Sequence, residues 1–416
     1  MLSSPIRRSE SEAEEALAAL ITDAVRLCRV ADVPLGAFLS GGIDSTAVVA
    51  AMRDGGAPPK TFTIGFEDRG FDESHHAEAV ARHLGTHHTT LVATDREALA
   101  IVPELGRLYD EPFADSSAVP TVLVSRLARR HVTVALSGDG GDELFGGYTR
   151  YALLERAAAV QRVLPRPVRS VISSVARGVL GVLPRFRLAR AALLLGLPDT
   201  ESLYRRFLVT GTEAGRLLPD ASGVITPPAW EEALALRRAA MLHDTLAYLP
   251  DDILAKVDRA SMSVGLEARV PLLDHRILAL AAALPEALLA DSRGGKALLR
   301  RVVERAVPRA LIERPKMGFG VPLARWLAGP LRDWAEALLE PGRLSSGLGF
   351  DARAVRALWA RALGGDRSAA AALWPVLMAE AWRTAREAAP IAAPMCHGGH
   401  DRDGPPSVRV GSGQSG

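Results

Sequence analysis

Apolar positions follow two alternating rhythms over the first 150 residues. Leu17, Leu20, Ile21, Ala24, Leu27 and Cys28 recur at helical spacing behind Ser11 and Glu14, which form a capping-box pattern. Short apolar runs then occur at Val33–Leu39, Thr61–Phe66, His88–Val92 and Val132–Leu136, the length of buried strands. Helical periods fill the gaps: after Gly42, then Ser74–Leu84, Asp95–Leu108 and Val119–Arg130. Strands alternating with helices require crossover connections. The pattern therefore predicts an α/β fold, a parallel sheet with helices on both faces. From Tyr151 to about Ala388 strand patterns vanish and the chain reads as largely helical. The divisions expected are a leader helix (1–30), an α/β core (31–150), a basic helical insert (151–240), a further helical part (241–388) and a disordered tail (389–416). The tail is rich in Gly, Pro, Ser and charge.

Charge and composition narrow the function classes. The chain has 416 residues, ample for a large core without disulfide or metal staples. Its net charge of +2 does not mark a dedicated nucleic-acid binder, so no nucleic-acid partner is expected. The most apolar run, Ile277–Ala290, is broken by Pro285 and Glu286 and is too short to span a bilayer. The N-terminus turns acidic where a signal peptide is apolar, which points to the cytoplasm. Cys28 lies on an apolar stripe and reads as a packed residue; Cys396, with His397 and His400, makes a poor metal site in a floppy tail. The pairs His75–His76 and His87–His88 lack a matched third ligand. From Arg156 to Pro198 there are eight arginines and no acid. A solvated basic face is the expectation, with a membrane-surface or RNA contact as the alternative. Lysine is scarce: Lys60, Lys256, Lys296 and Lys316.

Two glycine-rich turns carry the chemistry. Leu39-Ser40-Gly41-Gly42-Ile43-Asp44-Ser45 follows the first strand and opens a helix, whose unpaired N–H groups suit phosphate. Asp44 would repel phosphate unless Mg²⁺ bridges the two; an ordinary capped βα turn is the alternative. Ser137-Gly138-Asp139-Gly140-Gly141-Asp142-Glu143 follows the fourth strand. Three carboxylates so close are costly without a cation. Asp142 is the natural second Mg²⁺ ligand, which leaves Asp139 for a cationic group such as a substrate ammonium. In parallel sheets the crevice lies beyond the strands' carboxyl ends, so both turns should face one pocket.

These residues resemble a known family. SGGIDS is similar to the pyrophosphate loop of the N-type ATP pyrophosphatases (adenine-nucleotide alpha-hydrolase-like fold). SGDGGDELFGGY, Leu249–His275 and Arg314–Pro322 (RPKMGFGVP) resemble the synthetase domain of glutamine-dependent asparagine synthetases, over about Val33 to Trp382. The resemblance implies an ATP-dependent amide-forming ligase with ATP and Mg²⁺ as cofactors. It would adenylate a carboxylate, the aspartate side chain first in line, release pyrophosphate, and pass ammonia or an amine to the acyl group. A carboxylate–amine ligase or lactam-forming synthetase on another substrate is the alternative. Carried over by motif, Ser40, Gly41, Gly42, Asp44 and Ser45 would hold pyrophosphate. Leu39, Ile64, Ser137 and Gly138 would frame adenosine, and Asp44 and Asp142 would bind the metal. Asp139 and Lys316 would serve the reacting groups; Glu267 and Arg269, in a helical motif with Lys256, Asp258 and Arg259, would either face the pocket at 3–4 spacing to serve the same groups or form a buried ion-pair network holding the helical part. Asp110, Glu111 and Asp115 would line the substrate pocket or cap a helix.

The family's glutaminase nucleophile is a cysteine after the initiator methionine, whereas position 2 is Leu2. Glutamine hydrolysis is therefore not expected from this chain. Free ammonia, a separate glutaminase subunit or another amine would supply the nitrogen, or the gene is a fragment. A homo-oligomer is possible on sequence grounds. A tRNA-modifying enzyme would need a more basic surface and cysteines near the loop. A non-catalytic subunit would not be expected to keep Asp44, Asp142 and Lys316.

Overall fold

The computed structural model describes residues 9–53, 57–68, 70–182, 192–208, 217–218, 228–313 and 320–388. Lys316, the tail 389–416, and Arg185, Arg187 and Arg190 lie outside the described residues. Five parallel strands form the main sheet in the order β3-β2-β1-β4-β5. They are β1 (Leu35–Phe38), β2 (Lys60–Phe66), β3 (His87–Ala93), β4 (Val134–Leu136) and β5 (Glu267–Arg269). Ala37 is central, in register with Thr61 on one side and Leu136 on the other.

Period-2 alternation sends side chains to two separate cores. Ala37 and Leu136 join α1 (Glu10–Cys28), α2 (Ile43–Met52) and α3 (Ser74–Leu84) on one face. Phe62, Ile64, Phe66 and Ala135 join α4 (Ala118–Arg129) and C-terminal helices on the other, including the 22-residue α9 (Arg367–Ala388). The sheet is therefore covered on both faces.

The first four strands fall where the apolar runs predict them. The N-terminal cap does not: Ser9 and Glu12, not Ser11 and Glu14, form the capping box. Ser9 accepts from the Glu12 N–H, and the helix starts at Glu10. The stripe rotates accordingly. Val25 is fully buried while Leu27 is 48% exposed.

The helical expectation after Tyr151 needs correction in two places. β5 extends the sheet beside β4, with Leu136 in register with Arg269. A small hairpin pairs β6 (Ala290–Asp291) with β7 (Gly294–Gly295). The basic insert forms α6 (Thr149–Val163) and α7 (Arg166–Val182). Arg156, Arg162, Arg166 and Arg177 are exposed, whereas Arg169 is buried and donates to the carbonyls of Leu195 and Leu197.

Candidate functional site

Beyond the carboxyl ends of β1 and β4 lies a cavity of about 1210 Å³. Its wall is built from both glycine-rich turns. After β1, Leu39 is tied by its N–H to the Phe62 carbonyl at 2.9 Å, and Gly41 turns the chain with φ +75°. A Cβ at Gly41 would lie 2.8 Å from the His76 backbone, so glycine is required there on both counts. Ser40 Oγ and Ser45 Oγ are 3.0 Å apart, and Ser45 Oγ also accepts the Ser40 N–H at 3.2 Å. This folds the loop over the start of α2. Gly42 is the N-cap and offers no side-chain oxygen, so the N-terminus of α2 meets the cavity without a side-chain cap.

The second turn packs directly on the first. Gly138 sits where a Cβ would come within 2.5 Å of the Ser45 nitrogen. Gly140, at φ +86°, caps the short helix α5 (Gly141–Phe145). A Cβ on Gly141 would fall 2.2 Å from Asp44 Oδ1. Residues almost 100 positions apart therefore touch only because glycine stands at the contact.

Asp44 and Asp142 converge on one cation. Lys296 Nζ is ion-paired with Asp44 Oδ2 and lies 2.7 Å from Asp142 Oδ1. Burial works against the charged ammonium, but the carboxylates of Asp142 and Asp44 outweigh it and hold the lysine pKa well above its usual value. Two carboxylates aimed at one point, beside a helix N-terminus, are a donor set that suits Mg²⁺. By sequence alone Lys296 stands out only as one of four lysines. Its available signal was the Gly294-Gly295-Lys296 context, a lysine rare in this chain set beside two glycines.

A second charged group lies across the cavity. Lys256, on α8 (Ala255–Met262), donates to Asp115 Oδ2 at 2.7 Å. Burial opposes its charge, but Asp115 and Asp252 raise its pKa overall. Asp115 is held below its ordinary value: burial pushes it up, and Lys256 with the Ser117 hydrogen bonds more than reverses this. Asp252 is pushed up to about 7 by burial and by Asp115. Asp139 accepts from Ser137 Oγ, and burial raises its pKa although Ser137 and Lys256 oppose that. Glu143, bonded by the Tyr148 hydroxyl at 2.5 Å, is pushed up to about 7, chiefly by burial. Residues 244–254 form an under-wound π-helical stretch containing Pro250, which carries Tyr248 to the cavity wall.

Leu39, Ser40, Gly42, Asp44, Ser45, Ser137, Gly138, Asp139 and Asp142 line the cavity. Gly41 faces the His76 backbone instead. Ile64 is buried in the core with Phe66, and its neighbours Phe62 and Thr63 form the wall. Glu267 and Arg269 are not brought to the cavity. They lie on β5 rather than on a helix; Arg269 pairs with Glu267 and donates to the carbonyls of Cys28 and Val30, which ties the sheet edge to the end of α1. Of the other acids near Tyr109, Asp115 lines the wall, while Asp110 pairs with exposed Arg259.

Comparison with known proteins follows this geometry. A family model described as asparagine synthase matches residues 16–384. A Mycobacterium tuberculosis protein (strain ATCC 25618 / H37Rv), provisionally named a glutamine-hydrolysing asparagine synthetase, is 36% identical over 91% of this chain and 59% of its own. Asparagine synthetase [glutamine-hydrolyzing] 1 of Bacillus subtilis is 31% identical over 81% of this chain and 54% of its own. Amidase chyE of Penicillium rubens is 27% identical over 82% and 57%. The chain thus spans less than two thirds of the curated relatives it matches. Since the matched region runs from within α1 to within α9 and takes in both loops that build the cavity, the chain belongs to the asparagine synthase family.

Proposed function

We propose that this chain is the adenylating, amide-forming part of an ATP-dependent ligase. The observation that carries the reading is the convergence of Asp44 and Asp142, from two distant turns, on one point beside the open N-terminus of α2. ATP would lie across the cavity with its adenosine against Leu39, Phe62, Thr63, Ser137 and Gly138. Its phosphates would meet the hydroxyls of Ser40 and Ser45 at the N-terminus of α2, in the turn that Gly41 and Gly42 shape. Asp44 and Asp142 would hold Mg²⁺, which, when bound, neutralises charge on the leaving pyrophosphate.

The acid substrate then belongs on the Asp139–Lys256–Asp115 side. Its carboxylate oxygen attacks the α-phosphorus, and the bond from that phosphorus to the β-bridging oxygen breaks as pyrophosphate leaves. An amine attacks the acyl carbon, sheds a proton, and expels AMP. The protein's contribution is positioning and charge stabilisation. Asp139 stands where a carboxylate can receive the amine's proton or hold a substrate ammonium. Lys316 is assigned to the developing phosphoryl charge on its RPKMGFG motif alone.

Aspartate is the first acid proposed and ammonia the first amine, by likeness to the relatives' printed names. The test is a panel of acids with ATP, Mg²⁺ and ammonium, scored for AMP and pyrophosphate. Aspartate should give AMP, pyrophosphate and asparagine in equal amounts. AMP with another acid only would move the substrate assignment; ADP and phosphate, or no nucleotide turnover with any acid, would overturn the reading.

A further inference from the structure

Lys296 is held in an unusual way. It is the only non-glycine residue with positive φ (61°) among the described residues, a backbone state that side chains disfavour. Its N–H donates to the Phe145 carbonyl at 2.9 Å, and its carbonyl accepts the Arg300 N–H at 2.8 Å. Three glycines surround its path. A Cβ on Gly295 would fall 1.9 Å from the Gly146 carbonyl oxygen, and one on Gly147 would fall 2.1 Å from both Lys296 Cε and Asp142 Oδ1. The β6–β7 hairpin and the turn after α5 are therefore shaped to pass this one aliphatic stem to the two carboxylates. Only 7% of the side chain is exposed.

The ammonium stands on the carboxylates that would hold the divalent ion. A lysine ammonium and a divalent cation repel each other and cannot both occupy that position. We propose that Lys296 is a resident counter-cation: it holds Asp44 and Asp142 together in the nucleotide-free protein, and it must leave them when the metal–nucleotide complex loads. The inference rests on the metal–nucleotide part of the ligase reading. It adds a positioning residue and an order of events. Metal alone must displace the ammonium without compensation. Metal arriving on a nucleotide brings phosphate oxygens that the released ammonium can face. Divalent ion and nucleotide should therefore bind with strong positive coupling.

The test uses Mn²⁺ as the probe, with the free ion followed by electron paramagnetic resonance and no turnover required. For the wild-type protein, Mn²⁺ affinity should rise at least tenfold when a nonhydrolysable ATP analogue with an α,β-methylene bridge is present. Lys296→Met should bind Mn²⁺ alone at least tenfold more tightly than wild type, and should show a smaller gain with the analogue. Equal Mn²⁺ affinity of wild type and variant without nucleotide would overturn the proposal. So would a wild-type affinity that the analogue leaves unchanged, a measurement that stands even if Lys296→Met does not fold. Absence of AMP with every acid would remove the ligase assignment and leave these Mn²⁺ outcomes intact, so the two failures are separable.

Discussion

Gly141→Ala tests the contact between the two turns with a single methyl group. Gly141 is the first residue of α5 and its φ is not positive, so the backbone itself accepts alanine. The new Cβ would lie 2.2 Å from Asp44 Oδ1, whereas such contacts do not fall below 3.0 Å. The Asp44 carboxylate must therefore retreat by about 0.8 Å, and misplacement of about 1 Å at a reacting centre costs roughly 100-fold in rate. Stability should move little. Overpacking costs about 1–3 kcal/mol, and alanine over glycine in a helix returns about 1 kcal/mol. The assay is AMP formation with whichever acid supports turnover, alongside thermal melting. We expect a rate loss of about two orders of magnitude with a melting point within about 5 °C of wild type. Gly178→Ala is the control: a Cβ there meets nothing within 4 Å on α7, so it should keep full activity and gain slightly in stability. A Gly141→Ala enzyme as fast as wild type would refute the argument that Asp44 works at this contact.

Three further outcomes follow from charged groups. Lys256→Met leaves half-buried Asp115 without its cation, so urea denaturation should show a loss of about 1–3 kcal/mol; no measurable loss would mean that the pair is as solvated as a surface ion pair. Asp252 is pushed up to about 7, well above the ordinary carboxylate range, by burial and by Asp115. As pH rises from about 4 towards 7, the unfolded chain releases this proton and the folded one retains it, so the group costs stability above that window. Asp252→Asn should therefore raise the melting point at pH 8 and leave it unchanged at pH 4; the reverse pattern would contradict the shift. In the basic insert, Arg162→Ala should alter stability by no more than about 0.5 kcal/mol. Arg169→Ala strands two carbonyls and should cost about 1–3 kcal/mol in the same denaturation assay; equal effects would mean that Arg169 is as solvated as its neighbours.

The legible parts of the fold are those with a local signal. β1, β2 and β4 are short apolar runs with Gly, Ser or Asp at their ends, and each is buried on both faces as such runs require. β5 has only Glu267, Ala268 and Arg269, no apolar run, and one partner strand, so nothing in its own sequence distinguishes it from the helices around it. By sequence Glu267 and Arg269 therefore group with the helical motif, either facing the pocket or joining an ion-pair network; the strand keeps the ion pair and not the pocket. The two turns were legible because glycine, serine and carboxylate at fixed offsets carry their own chemistry. Lys296 was not, because its meaning lies in partners 252 and 154 positions away. The Ser9 cap was missed for a simpler reason: two overlapping Ser-x-x-Glu frames compete, and the choice depends on which rotation buries Val25.

The strand at Glu267–Arg269 ties the two halves of the molecule into a single folding event. β4 gains its outer neighbour only after 130 intervening residues have been made and placed. A ribosome-bound or proteolysed chain ending before residue 267 would present Val134–Leu136 as a bare, fully apolar ribbon open to any passing strand. The α/β portion, though contiguous over β1 to β4, is thus not an excisable module. Shortened versions ending in the basic insert should aggregate rather than refold.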